Sequence, residues 1–526
     1  MGQIINPILR GFNPDPSIIR VGDDYYIATS TFEWFPGVQI HYSKDLIHWK
    51  PVAHPLNRLS QLNMAGIDSS CGVWAPNLSY DRGTFYLIYT IVRSTGGIFK
   101  DTLNFLVTAA DIQGEWSEPI FLNASGFDPS LFHDDDGRKW LVNMDWNHGQ
   151  GKKRFGGILL QEYAPVQKRL VGPVQNIFQH SGLAEGPNLY KRDDYYYLML
   201  AEGGTGLNHS VWMARSKSIA GPYETDLKNP ILTAREDPRI PLQKAGHASL
   251  VHTPSGEWYM AHLCGRPIPA SGRCTLGRET CIQKVIWSDD GWLRLAQGGN
   301  KPLMTVPGPD LPEYPFPQES VKDDFDSEKL GIHFQTLRVP LGEEYLSLIE
   351  RPGYLRLKGG ESLNSRYFQS LIARRQQAFC YTATACMEFE PESYKQMAGL
   401  ICIYDIHNYF YLRVSHDGTG KCLAIINCDN GTYNYPLEKD IYIGGDSRHY
   451  LQARVDYDRL RFYYSSDGEQ WLQVGGNFDY SRISDEGINK LAFTGAMIGI
   501  CCQDLSGMRK HADFDYFEYI ERDFAG

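Results

Sequence analysis

The feature that most constrains this chain is an internal repeat of about sixty residues, and self-similarity at a fixed period decides architecture before any local reading does. Five short segments open alike: Asp15-Pro16-Ser17-Ile18, Ala75-Pro76-Asn77-Leu78, Asp128-Pro129-Ser130-Leu131, Gly186-Pro187-Asn188-Leu189 and His247-Ala248-Ser249-Leu250. Their spacings are 60, 53, 58 and 61 residues. Each is followed by a turn and an aromatic strand, as in Gly22-Asp23-Asp24-Tyr25-Tyr26, Asp81-Arg82-Gly83-Thr84-Phe85 and Ser255-Gly256-Glu257-Trp258-Tyr259. Gly and Asp supply turn dihedrals between runs of period two, which makes these hairpins. Five four-strand units predict an all-β fold with a five-bladed β-propeller. An open β-solenoid of five repeats is the alternative, but the units are too long for one.

The repeat ends near residue 299. Residues 300–318 carry six prolines, Pro302, Pro307, Pro309, Pro312, Pro315 and Pro317, which predicts a semi-rigid extended linker. Beyond it, short alternating strands continue, such as Tyr409-Phe410-Tyr411-Leu412-Arg413-Val414 and Leu460-Arg461-Phe462-Tyr463-Tyr464. These predict a second all-β domain, a β-sandwich of jelly-roll, concanavalin-like type. The expected organisation is a propeller over 1–299, a linker over 300–318 and a sandwich over 319–526.

Composition excludes several partners. A net charge of −11 with no basic stripe argues against nucleic acid, and no apolar run is long enough to span a membrane. The start, Met1-Gly2-Gln3-Ile4-Ile5-Asn6-Pro7, has neither a basic nor an apolar leader region. Eleven cysteines without metal-ligand spacing fit reduced thiols. A cytoplasmic chain is expected, although a processed one would read the same. Aromatics reach 13%; they suit a β core, and their faces also stack on sugars.

In a propeller the innermost strand of each blade starts at the central channel, so equivalent repeat positions converge there. These positions are Asp15, Ala75 with Trp74, Asp128, Gly186 with Glu185, and His247. Three carboxylates from three blades then share one small space. Clustered like charges raise pKa values and cost stability, so a scaffold alone has little reason to place them there. Glycoside hydrolysis needs one carboxylic acid to protonate the leaving oxygen and one carboxylate acting from the other face of the sugar. Glu185, beside Gly-Pro, has the mobility of a general acid. Asp15, between two prolines, has the rigidity of a base that positions one water. Asp128 is left as the modulator of the acid's pKa. Arg278 supplies either a fixed cation for this cluster or a structural ion pair with Glu279 or another neighbour.

The motifs Asn13-Pro14-Asp15-Pro16-Ser17, Thr31-Phe32-Glu33-Trp34-Phe35-Pro36-Gly37-Val38, Gly72-Val73-Trp74-Ala75-Pro76, Phe127-Asp128-Pro129-Ser130 and Ala184-Glu185-Gly186-Pro187 together resemble glycoside hydrolase family 43. The likeness covers nearly the whole chain and is nearest to the β-xylosidase group with a C-terminal β-sandwich. The resemblance implies an inverting, exo-acting enzyme that releases xylose from xylooligosaccharides. It implies Asp15 as base, Glu185 as acid and Asp128 as modulator. It also implies that Phe32, Trp74, Ala75, Phe127, Trp146, Thr205, His247 and Arg278 line the pocket for the terminal sugar. One departure stands out: Gly186 follows the acid where the family often has Ala.

Relatives sometimes carry a calcium ion near the equivalent of His247; the sequence alone favours a hydrogen-bonded core histidine. No cofactor is required for the chemistry. A second calcium position, from Asp323, Asp324 and Asp326 with Asp513 and Asp515, competes with a reading of these as solvated turns. The sandwich is expected to pack on the propeller and reach a loop over the pocket, with Phe493-Thr494-Gly495-Ala496-Met497 as the candidate. A homodimer or homotetramer fits the resemblance.

Three alternatives remain at this point. An α-L-arabinofuranosidase acting on arabinoxylan fragments uses the same three acids on another pentose. A retaining fructosidase shares the five blades, but its Trp-Met-Asn-Asp-Pro-Asn start is absent. Its carboxyls would sit about 5 Å apart rather than the roughly 6.5–9.5 Å of an inverting enzyme. A non-catalytic sugar-binding propeller would find the axial acids dispensable.

Overall fold

The computed structural model describes residues 2–445 and 447–522. Positions 523–526, assigned above to the second domain, lie outside the described residues. The chain is all-β: apart from two single-turn 3-10 segments, Tyr480–Arg482 and Asp485–Gly487, the regular elements described are strands.

Each of the five repeats forms one antiparallel sheet, its strands following one another along the chain except in the first blade, where Trp34–Phe35 leaves to join another sheet. The first blade comprises Ser17–Val21, Asp24–Thr29, Gln39–Ser43 and Lys50–Ala53. The innermost strands of the others are Gly72–Asp81, Gly126–His133, Ala184–Arg192 and Gln243–His252. The fourth blade gains a short extra strand, Leu232–Thr233, on Ser210–Ser216. The tight hairpins follow from their turn residues. Between Asp81 and Thr84, for instance, Arg82 and Gly83 both take positive φ, 47° and 82°, as a two-residue turn matched to strand twist requires.

The repeat motif has a single physical meaning at each position. Its first residue lies in the left-handed region in all five blades: Asp15 at φ 56°, Ala75 at 30°, Asp128 at 53°, Gly186 at 58° and His247 at 42°. In four blades the ladder slips register there, and such a bulge re-aims the side chain beside it. The third motif residue, always Ser or Asn, stitches neighbouring blades. Ile18 N donates to Ser249 Oγ at 2.9 Å, Leu78 N to Ser17 Oγ at 2.9 Å and Leu131 N to Asn77 Oδ1 at 3.0 Å. Ser130 Oγ donates to the Pro187 carbonyl at 2.6 Å, and Asn188 Nδ2 to that of Ala248 at 3.2 Å.

The N-terminal segment fastens the ring to the fifth blade, with Leu9 bridged to Thr280 and Asn13 N donating to the Arg278 carbonyl at 2.9 Å. The proline-rich stretch is not a free spacer. Thr305–Pro307 pairs with Gln3–Ile5, Tyr314 N donates to Asp45 Oδ2 at 2.7 Å, and Phe316 packs on Tyr42 with ring centroids 5.8 Å apart.

Two antiparallel sheets make the sandwich. One of them is completed by the propeller, because Trp34–Phe35 pairs with Gln335–Leu337 at its edge. The apolar face of that sheet, including Leu371, Tyr411, Met497 and Cys501, joins Phe12, Phe32, Trp34 and Trp74 of the propeller in one core. Cys502, on the opposite face, belongs to the sandwich interior. The aspartates weighed above as a calcium site or as turns are engaged with other groups. Asp513 is taken by Arg351 at 2.9 Å and Arg356 at 2.7 Å, Asp515 faces Arg448 at 3.6 Å, and Asp323 accepts the Phe325 N–H. These carboxylates balance arginines or close turns.

Candidate active site

A cavity of about 170 Å³ opens at the propeller axis, where the bulged motifs meet. Pockets for drug-sized ligands run roughly 300–1,000 Å³, so this one suits a single sugar ring. Asp15, Asp128 and Glu185 all face it, together with His247 and Arg278. Each of the five is buried, with at most 9% of its surface exposed.

The three carboxylates are held in different electrostatic states. Asp15 receives a hydrogen bond from Ser30 Oγ at 2.6 Å and one from Arg278 Nη1 at 3.0 Å, and His247 Nδ1 lies 3.9 Å away. Burial pushes its pKa up, but Arg278, His247 and Ser30 outweigh burial, and the net shift is downward. Asp15 is therefore ionised. Burial and the negative charges of Glu185 and Asp15 drive Asp128 well above the ordinary carboxylate range. Burial and the charge of Asp15 raise Glu185 to about 7, against the pull of Arg278 and Lys100. Asp128 and Glu185 thus retain a proton at a pH where Asp15 has none. Gly186 N donates to Asp128 Oδ2 at 3.0 Å, which ties the Asp128 carboxylate to the residue after Glu185. Arg278 resolves its two readings: Glu279 pairs with Arg266 at 2.5 Å, leaving Arg278 for Asp15.

Aromatic rings wall the rest of the cavity. Trp74 meets Phe127 edge-on at 5.5 Å and Phe493 at 5.3 Å, and Phe127 lies 6.0 Å from Trp146. Phe32 packs 5.8 Å from Phe493. Thr205 and Gly204 reach the cavity from the loop after the second strand of the fourth blade. Of the anticipated pocket residues, Ala75 alone is displaced. It lines a smaller space below, with Asp128 and His247, and its N–H donates to Ser30 Oγ at 2.8 Å. Ala75 supports the serine that binds Asp15, because the bulge turns its methyl away from the cavity.

Phe493, from the sandwich, lines the cavity wall. Its carbonyl accepts from Arg278 Nη2 at 3.0 Å, and its N–H donates to Ser70 Oγ at 3.1 Å. Ser70 in turn accepts the Trp74 indole N–H on its carbonyl at 3.0 Å and donates its own N–H to Glu33 at 3.0 Å. Sequence reasoning missed Ser30, Ser70, Leu183 and Lys100. The Lys100 ammonium lies 5.1 Å from the Trp74 ring centroid and 4.6 Å from that of Trp146. No repeat position marks these residues; all lie on connections whose course only the folded chain reveals.

A calcium ion needs six to eight oxygen ligands, and the groups near His247 do not form such a cage. In the smaller space below the cavity Asp128 is the only acid among the described lining residues and is engaged by Gly186, Asp15 beside His247 is bound by Arg278 and Ser30, and Ser17, Asn77, Ser130 and Asn188 are occupied by the inter-blade bonds. Among the described residues no group of three or more His, Cys, Asp or Glu side chains is placed to hold a metal ion.

The family profile described as glycosyl hydrolases family 43 matches residues 4–293, and that of the β-xylosidase C-terminal concanavalin A-like domain matches 322–520. The chain belongs to glycosyl hydrolase family 43. This family 43 chain is 48% identical to a β-xylosidase of Bacillus subtilis strain 168, over 99% of its own length and 100% of the relative. It is also 48% identical to xylosidase/arabinosidase 43B of Humicola insolens, covering 99% of this chain and 98% of the relative. The crystal structure of a xylan β-1,4-xylosidase from Bacillus halodurans C-125 superposes with a TM-score of 0.97 at 55% identity, covering 98% of this chain and 100% of that one.

Proposed function

We propose that this family 43 glycoside hydrolase releases xylose from the non-reducing ends of xylooligosaccharides by single displacement with inversion. The observation that carries this reading is the division of protonation states in a cavity sized for one sugar ring. Glu185, protonated up to about pH 7, donates its proton to the departing glycosidic oxygen. Asp15, kept ionised by Arg278 and Ser30, removes a proton from the water that attacks the anomeric carbon from the opposite face. Asp128 holds the backbone beside Glu185, while burial and the negative charge of Asp15 delay the ionisation of the acid. The aromatic wall excludes bulk water and stacks on the sugar, while Phe493 narrows the cavity to chain ends. β-1,4-xylosides as the preferred substrate are supported by the xylan β-1,4-xylosidase likeness.

The xylosidase/arabinosidase relative favours one second reading, α-L-arabinofuranosidase activity with the same three acids. Hydrolysis of 4-nitrophenyl β-D-xylopyranoside and 4-nitrophenyl α-L-arabinofuranoside, with Asp15→Ala as control, separates the two. A xyloside preference lost in Asp15→Ala supports the proposal; an arabinofuranoside preference replaces the substrate and keeps the mechanism. Proton NMR of the xylose first released from 4-nitrophenyl β-D-xylopyranoside reads the stereochemistry. An initial β-anomer of the released xylose would refute inversion.

A further inference from the structure

A second cavity of about 170 Å³ lies between the two domains and has a different chemistry. The propeller contributes Gln39 and His41 from its first blade and Arg10 from the N-terminal segment; the sandwich contributes His333, Arg374 and Arg375. Its rim acids are already matched, Glu521 with Arg10 at 2.7 Å and Glu319 with His333 at 2.6 Å. Arg375 has no such match, and Arg374 feels both rim carboxylates at a distance without a hydrogen bond to either. Arg375, 5% exposed, donates Nη1 to Gln335 Oε1 at 2.6 Å and Nε to the Phe12 carbonyl, and stacks on the Phe12 ring. All these partners are neutral. Arg374 likewise donates to the neutral Gln377 at 3.0 Å and lies over the Tyr519 ring.

Several polar atoms around this cavity are buried without a hydrogen-bond partner: Arg375 Nη2, Arg374 Nε, His41 Nδ1 and Gln39 Oε1. Orphaned buried donors are costly, and a buried guanidinium without an anion more so. Water would satisfy the donors but not the charge. An oxyanion would do both, since the planar guanidinium fork matches phosphate-type oxygens. Neutral His41 offers one ring N–H, and the Gln39 amide becomes a donor on rotation by half a turn.

We propose that this cavity is a binding site for one small tetrahedral oxyanion of the inorganic phosphate class, gripped by Arg374 and Arg375 of the sandwich and by Gln39 and His41 of the propeller. The bound anion fastens the two domains together. Non-specific accumulation is disfavoured, because the chain carries a net charge of −11.

Isothermal titration with inorganic phosphate at fixed ionic strength, against sodium chloride, tests the proposal. One saturable site per chain is expected, unaffected by saturating xylose, with at least tenfold weaker binding in Arg375→Gln. Gln39→Glu supplies the missing anion from the protein itself. It is expected to abolish phosphate binding while leaving the melting temperature in phosphate-free buffer equal to or above wild type, so the test survives a poorly folding Arg375→Gln. Absence of saturable binding, an equal response to chloride, displacement by xylose, or unchanged binding in Gln39→Glu would each overturn it.

Discussion

Arg278 holds Asp15 through a 3.0 Å hydrogen bond from Nη1 while its other terminal nitrogen grips the carbonyl of Phe493. One guanidinium thus fixes the proposed base and anchors the one sandwich residue in the cavity wall among the described residues. Removing it withdraws the largest influence holding the Asp15 pKa down. Arg278→Met is expected to lower kcat/KM on the xyloside by about 10²-fold or more, the scale seen when a preorganised charge partner is removed. Because loss of a cation raises a carboxylate pKa, the acid limb of the kcat/KM profile should move to higher pH. A rate loss with an unmoved acid limb would mean that Arg278 acts on substrate alone.

Glu185 carries a stability penalty that its function requires. Its folded pKa is raised to about 7 from 4.5, so between those values the native chain holds a proton that the unfolded chain has released. Stability therefore falls as pH rises through this window. Glu185→Gln removes its share of the slope and should stabilise the protein at pH 8 by on the order of 2–3 kcal/mol relative to wild type, with little gain at pH 4. Thermal denaturation at the two pH values reads the difference, and an equal gain at both would place the effect in packing. Activity is expected to be nearly lost.

What was legible in the sequence was whatever the repeat imposes. Asp15, Ala75, Asp128, Gly186 and His247 stand out because every blade needs a left-handed residue at that point, and the Ser or Asn two positions later because it bonds the neighbouring blade. Glu185 was legible only through its neighbour: the repeat position is Gly186, and the bulge turns the preceding carboxylate into the cavity. Lys100 and Ser70 lie on connections of free length, where no period applies. Nor does any local pattern announce that Trp34–Phe35 completes a sheet whose next strand is Gln335–Leu337; such pairing depends on how the domains dock. Ala75 shows the limit of reasoning by equivalence, since the same backbone position delivers a carboxylate in one blade and a buttress in the next.

The contribution of the sandwich rests on one ring. Phe493 packs on Phe32 and Trp74, and its ring centroid lies 5.4 Å from the Arg278 guanidinium carbon. Phe493→Ala leaves the backbone bonds to Arg278 and Ser70 available but opens the wall. A fall in kcat/KM of about 10–100-fold is expected, mainly through KM, because the apolar contact with the bound sugar exists before the transition state as well as in it. A wild-type KM would show that the ring does not touch substrate.

Gly186 is the position where the chain departs from the expected alanine, and the structure supplies a reason. Its φ of +58° alone does not demand glycine, since Ala75 holds the equivalent position at +30° and Asp128 at +53°. What differs is the neighbour: a Cβ at Gly186 would lie 2.9 Å from His247 Cε1 and 3.1 Å from its Nδ1. The imidazole must shift, and it stands 3.9 Å from Asp15. Gly186→Ala is therefore expected to cost about 1–2 kcal/mol of stability and to lower kcat/KM about tenfold through displacement of His247. The two causes separate in a double-mutant cycle. In a His247→Ala background the three nearest atoms to the added methyl are gone, so its stability cost should shrink toward the backbone share of the strain. Chemical denaturation of the four proteins measures this. If Gly186→Ala costs as much without the imidazole as with it, the backbone alone explains the glycine.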